Sequence, residues 1–92
     1  MAMTRIGVVG AGAMGRGIAQ VAAQAGCAVT LTDVSEGALE AAHEAIGASL
    51  SRAARKGKLP EEEAEAALAR IVTGTDLAAH SGAELVIEAA VE

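Results

Sequence analysis

Gly10-Ala11-Gly12-Ala13-Met14-Gly15 fits the pattern G-x-G-x-x-G and follows directly on the apolar, β-branched run Ile6, Val8, Val9. A glycine pattern alone says little in a chain with 11 glycines. Set between a buried strand and a helix it says much more, because such a turn leads the chain from sheet into helix within a few residues. Ile18, Val21, Ala22 and Ala25 recur at helical spacing after the turn, and Gly26 stands where a helix C-terminal cap belongs, so Ala13 to Ala25 is expected to be a helix. Ala28 to Thr32 reads as a second strand, with Asp33 at its end, eighteen residues beyond Gly15. In dinucleotide-binding units an acid is expected about twenty residues after the glycines.

The rest of the chain continues the alternation. Ser35 is placed to cap a long helix in which Leu39, Ala42, Ile46, Leu50 and Ala53 form one apolar stripe, running to about Arg55. Lys56-Gly57-Lys58 breaks it, and Pro60 with Glu61-Glu62-Glu63 starts a short helix to about Ala69. Arg70 to Gly74 and Glu84 to Ala89 are the last strand candidates, joined by a polar loop with Asp76, His80 and Gly82. Strands alternating with helices predict an α/β fold, a Rossmann-type doubly wound parallel sheet with strand order 3-2-1-4 and right-handed crossovers. Four strands make only the N-terminal half of such a sheet, so residues 1–92 are expected to be part of a larger domain. All the helices should lie on one side, leaving the other face of Ile6 to Val9, Val29 to Leu31 and Leu85 to Ile87 without cover.

Each residue of the turn has a chemical reason. Gly10 permits the turn out of the first strand, Gly12 has no side chain to hold a pyrophosphate away from the backbone, and Gly15 lets the helix approach the sheet. The unpaired N–H groups and positive dipole end of the helix starting near Ala13 would then meet the phosphates. Asp33 can accept hydrogen bonds from both ribose hydroxyls and repels a 2′-phosphate, and Val34-Ser35-Glu36 offers no arginine to such a phosphate, which selects NAD over NADP. Two plainer readings compete: glycines that serve only the turn, and an Asp33 that serves only as a capping acid near Ser35. An FAD-binding half is a further alternative, although it would carry glutamate where this chain has Asp33.

Composition excludes other classes. Phe, Trp and Tyr are absent and the net charge is -5, so neither base stacking nor attraction to a phosphate backbone is on offer, and no nucleic-acid partner is expected. No stretch reaches the roughly 18 apolar residues of a membrane span. A lone Cys27 cannot form an internal disulfide, and a cytoplasmic location is expected. His43 and His80 have no second ligand at metal-binding spacing, so no metal is expected, and Cys27 reads as a small packed residue.

The string from Ile6 to Gln20, the segment Arg55-Lys56-Gly57-Lys58-Leu59 and the terminal Leu85-Val86-Ile87-Glu88-Ala89-Ala90-Val91-Glu92 together resemble the N-terminal part of the 3-hydroxyacyl-CoA dehydrogenase family, most closely its bacterial 3-hydroxybutyryl-CoA dehydrogenases. The resemblance implies reversible hydride transfer between NAD and C3 of a 3-hydroxyacyl-CoA, in fatty-acid metabolism or related pathways. It implies that Gly10, Ala11, Gly12, Ala13, Met14 and Gly15 hold the pyrophosphate and that Asp33 holds the adenosine ribose. Ala90, Val91 and Glu92 would stand beside the nicotinamide half, and Ser49 and Lys56 would contact the CoA of the substrate. Read without the family, Ser49 and Lys56 are ordinary surface residues. The family's catalytic histidine and its partner acid match nothing here, nor do His43 and His80 match that histidine. Residues 1–92 alone are therefore expected to be inactive, lacking the catalytic segment and a C-terminal helical domain, and their uncovered sheet face is expected to associate with itself or with the rest of the enzyme; the intact protein is expected to be a homo-oligomer. The competing class is a non-catalytic NAD-binding or interaction module.

Overall fold

Short β-branched segments separated by helices pair in parallel, since each crossover carries the chain back to the same end of the sheet. The computed structural model describes residues 4–80 and 82–89. Its elements are β1 (Arg5–Val9), α1 (Ala13–Gln24), β2 (Ala28–Thr32), α2 (Glu36–Arg55), α3 (Glu61–Ala69), β3 (Ile71–Gly74), a 3₁₀ turn (Leu77–His80) and β4 (Leu85–Glu88). The sheet order is β3-β2-β1-β4 with every pair parallel, the order expected from the sequence. Several boundaries fall a residue inside expectation, β4 at both of its ends. Arg70 caps α3 through its N–H and donates Nη1 to the Ala23 carbonyl at 2.8 Å, so β3 begins at Ile71. Similarly, α1 stops at Gln24, with Ala25 as its cap.

Register puts Val8 level with Leu31 and Ile87, and Ile6 level with Val29, on the face that meets the helices. There Val8, Val29 and Leu31 are buried beneath Ala19 and Ala23 of α1 and Leu39, Ala42 and Ile46 of α2. Alanines on α1 keep the helix close to the sheet. The bulk is supplied by Leu31, Ile46 and Leu50, each fully buried and each worth about 1.5–3 kcal/mol. Ala64 and Ala67 close α3 against the same core. The cap of α2 is as expected, Ser35 Oγ accepting from the Ala38 N–H at 3.1 Å.

The opposite face of the sheet corrects the sequence reading. It is not bare, because the 3₁₀ turn lays the ring of His80 over Gly7 at the centre of β1. A β-carbon at Gly7 would overlap the imidazole, so the side chain that strand position lacks is what makes room for the ring. Cover stops there: Val72 is 62% exposed and Val86 48%.

Candidate functional site

The turn between β1 and α1 is built by two glycines with different duties. Gly10 has φ +104°, a backbone conformation that disfavours any side chain. Gly15 is buried in the first turn of α1, where an added β-carbon would overlap the Gly10 carbonyl oxygen. Gly12, the N-cap of α1, has nothing within 4 Å of that position. The turn is thus closed at Gly10 and Gly15 and open at Gly12.

The first backbone bond across the start of α1 is Arg16 N–H to the Gly12 carbonyl, at 3.0 Å. The N–H groups of Ala13, Met14 and Gly15 precede it and have no backbone acceptor among the described residues. Three unspent donors at a helix N-terminus, beside an open Gly12, suit an anion. The open space and the donor set therefore fit a dinucleotide's pyrophosphate.

Asp33 ties this turn to β2. Its Oδ2 accepts from the Ala11 N–H at 2.9 Å and its Oδ1 from the Ser35 N–H at 2.9 Å. The Ala11 bond above all, then that of Ser35, holds the carboxyl below its ordinary pKa against a smaller opposing effect of burial. Each oxygen keeps accepting capacity beyond its one backbone bond, enough for two hydroxyls. Thr32, one residue earlier, accepts from the Gly10 N–H at 2.7 Å through its carbonyl. Asp33 is therefore more than a capping acid for α2, since it also fastens the glycine turn. Glu36, Glu40, His43 and Glu44 of α2 line a groove with Thr73, Gly74 and Thr75, so the lining of this groove brings further negative charge and no arginine.

The other candidates lie elsewhere. Ser49 Oγ accepts from Gln20 Nε2 at 3.0 Å, joining α2 to α1, and Lys56 is the exposed C-cap of α2. At 1.5 Å rise per residue they stand about 20 Å and about 30 Å along the helix from Glu36, so the structure does not bring them to the turn. Ala90, Val91 and Glu92 lie outside the described residues. Glu88 is exposed at the end of β4, level with Val9. Cys27 is half-buried against the core, and no group of three metal-ligating side chains occurs among the described residues. Sequence reasoning missed His80: it is buried, and its Nε2 shares a 2.7 Å hydrogen bond with the Thr32 hydroxyl. A glycine in mid-strand signals a close approach, but nothing local named the residue that makes it.

A parallel sheet in this order, with an open glycine turn latched to an acid at the end of the second strand, defines the first half of a dinucleotide-binding unit. Comparison narrows the class. A family model described as "3-hydroxyacyl-CoA dehydrogenase, NAD binding domain" matches residues 5–92. A 3-hydroxybutyryl-CoA dehydrogenase of Mycobacterium tuberculosis is 47% identical over 91 residues, 99% of this chain and 32% of that protein. A 3-hydroxyadipyl-CoA dehydrogenase of Escherichia coli is 46% identical over 87 residues, 95% of this chain and 18% of that one. Among solved structures, a 3-hydroxybutyryl-CoA dehydrogenase of Escherichia coli superposes with a TM-score of 0.94 at 43% identity, covering 100% of this chain and 20% of the other. The chain belongs to the NAD-binding domain family of the 3-hydroxyacyl-CoA dehydrogenases, and it spans about a third of the length of the 3-hydroxybutyryl-CoA dehydrogenase it matches in Mycobacterium tuberculosis.

Proposed function

We propose that the intact protein is an NAD-dependent 3-hydroxyacyl-CoA dehydrogenase of short-chain, 3-hydroxybutyryl-CoA type, and that residues 1–92 supply its cofactor grip. The observation that carries this is the Asp33 latch on Ala11 beside the open Gly12. In this role the Ala13, Met14 and Gly15 amides hold the pyrophosphate, and Asp33 holds the ribose diol while rejecting a 2′-phosphate. The Ala11 amide acts through its bond to Asp33. NAD, when bound, supplies the hydride acceptor. Ala90, Val91 and Glu92 are assigned to the nicotinamide half by family resemblance, and Ser49 and Lys56 to CoA.

A general base must take the hydroxyl proton as hydride leaves C3. His43 is exposed on α2, and His80 is buried and bonded to Thr32, so neither is a free base at the cleft. The base is assigned instead to the part of the relatives' length that these residues do not cover, and residues 1–92 alone would then be inactive. The half-exposed Val86 and Leu85 support self-association. Among the described residues no helix is long and apolar enough to cross a membrane; a cytoplasmic location and a place in fatty-acid metabolism belong to the same proposal. A non-catalytic NAD-binding module is the second reading, favoured by the lack of a free histidine at the cleft among the described residues.

The test is NADH formation from 3-hydroxybutyryl-CoA by the intact protein, followed at the absorbance of the reduced cofactor. Turnover is expected, and NAD binding without turnover would favour the binding module. Lys56→Ala should raise KM for the acyl-CoA about three- to tenfold, the loss of a charge-assisted contact, with KM for NAD nearly unchanged. An unaltered acyl-CoA KM would return Lys56 to the solvated surface.

A further inference from the structure

We infer that His80 is a positioning residue for the cofactor turn, acting through Thr32. Two contacts converge on Thr32, whose whole residue is buried, and a third falls on the residue after it. Its carbonyl accepts the Gly10 N–H at 2.7 Å, its hydroxyl bonds His80 Nε2 at 2.7 Å, and its successor Asp33 accepts the Ala11 N–H at 2.9 Å. The two amides that close the glycine turn are therefore held by two consecutive residues, and the side chain of the first is pinned by His80.

The ring is itself held firmly. Asp76 caps the 3₁₀ turn, its Oδ1 accepting from the Ala78 N–H at 2.9 Å and its carbonyl from the Ala79 N–H at 3.1 Å. The His80 carbonyl accepts from Ala83 at 2.9 Å, and Glu84 N–H donates to the Arg5 carbonyl at 2.8 Å, which fastens the far side of the turn to the start of β1. The ring lies on Gly7 with Nδ1 buried and without a hydrogen-bond partner among the described residues. Burying a polar ring with one nitrogen unpaired costs stability, and an apolar side chain of similar size would fill the place without that cost. What the imidazole adds over such a side chain is its bond to Thr32. The crossover between β3 and β4 thus reaches beneath the sheet and holds the end of β2 at the height where the turn needs it.

The consequence for the turn stands on the structure alone, and the consequence for affinity rests on the NAD-binding role proposed above. The experiment uses the intact protein with His80→Leu, His80→Gln and Thr32→Val. It reads amide hydrogen exchange at Gly10 and Ala11 without ligand, against Val8 and Leu31 as controls, and then the Kd for NAD and for NADP. Loss of one such bond should speed exchange at Gly10 and Ala11 roughly three- to tenfold over the controls and narrow the preference for NAD by a similar factor. His80→Gln, whose side-chain amide can reach the place of Nε2, should restore both, which a ring serving only to fill space would not do. If His80→Leu does not fold, Thr32→Val keeps the ring, loses only the hydroxyl, and should give the same two changes. Unchanged exchange at Gly10 and Ala11 in the folded variants, or a glutamine no better than leucine, would overturn the role. Faster exchange in a protein whose wild type binds neither cofactor would keep the positioning of the turn and remove the NAD-binding proposal instead.

Discussion

Gly15→Ala is expected to unfold the protein or nearly so, while Gly12→Ala leaves the fold intact and loses the cofactor. The two glycines stand three residues apart in one motif, yet their surroundings differ completely. A methyl group at Gly15 overlaps the carbonyl oxygen of Gly10, and Gly10 cannot yield because its φ of +104° already fixes the turn. Relief requires α1 to move off β1, taking Ala19 and Ala23 from the core. Such a clash belongs among the severe single substitutions, about 4 kcal/mol or more, against a typical total stability of about 5–15 kcal/mol. A methyl at Gly12 meets no protein atom within 4 Å. Its cost to the helix cap should stay under about 1 kcal/mol. It would, however, occupy the approach to the Ala13, Met14 and Gly15 amides, and NAD should bind at least about tenfold more weakly. Urea unfolding with calorimetric NAD titration separates the two effects. Equal destabilisation by both changes, or wild-type NAD affinity in Gly12→Ala, would contradict the division of duties.

Asp33→Ala should weaken NAD binding about 10- to 100-fold, the loss of hydrogen bonds to a charged acceptor, and relax the preference for NAD over NADP. It should also cost about 1–2 kcal/mol of stability, because the Ala11 and Ser35 amides lose their acceptor. The pH dependence follows in sign. Backbone donors lower the folded-state pKa of Asp33, so its contribution is complete above the unfolded value, about 3.9, and is lost as pH falls through that value and then through the lower folded one. The stability difference between wild type and Asp33→Ala should therefore be flat from about pH 5 to pH 8 and shrink below about pH 4. Equal use of NAD and NADP by the unmodified protein would remove Asp33 from the ribose.

What could be read along the chain was whatever depended on neighbours in sequence. The turn at Gly10, the cap at Ser35 and the apolar stripe of α2 are local, and each element appears within a residue or two of its expected bounds. The strand order followed because the handedness of crossovers leaves few alternatives. The misses involve partners far apart in the chain. His80 meets Thr32 across 48 residues, Gln20 meets Ser49 across 29, and no periodicity encodes either meeting. The bare lower face was a local inference too. Counting helices gave the correct side for α1 and α2, but a single 3₁₀ turn was enough to put a ring over Gly7. For Ser49 and Lys56 only the family resemblance offers a role, since their spacing along α2 separates them from the turn.

The central claim is that NAD sits on the glycine turn with its ribose on Asp33, and amide chemical-shift mapping of the intact protein with and without NAD tests it most directly. The largest changes are expected at Gly12, Ala13, Met14 and Gly15 and at Asp33 and Val34, with little at Glu40, His43 and Glu44 in the α2 groove or at Lys56. Changes centred on that groove, or saturation with NAD that leaves the amides of Gly12 to Gly15 unmoved, would contradict it.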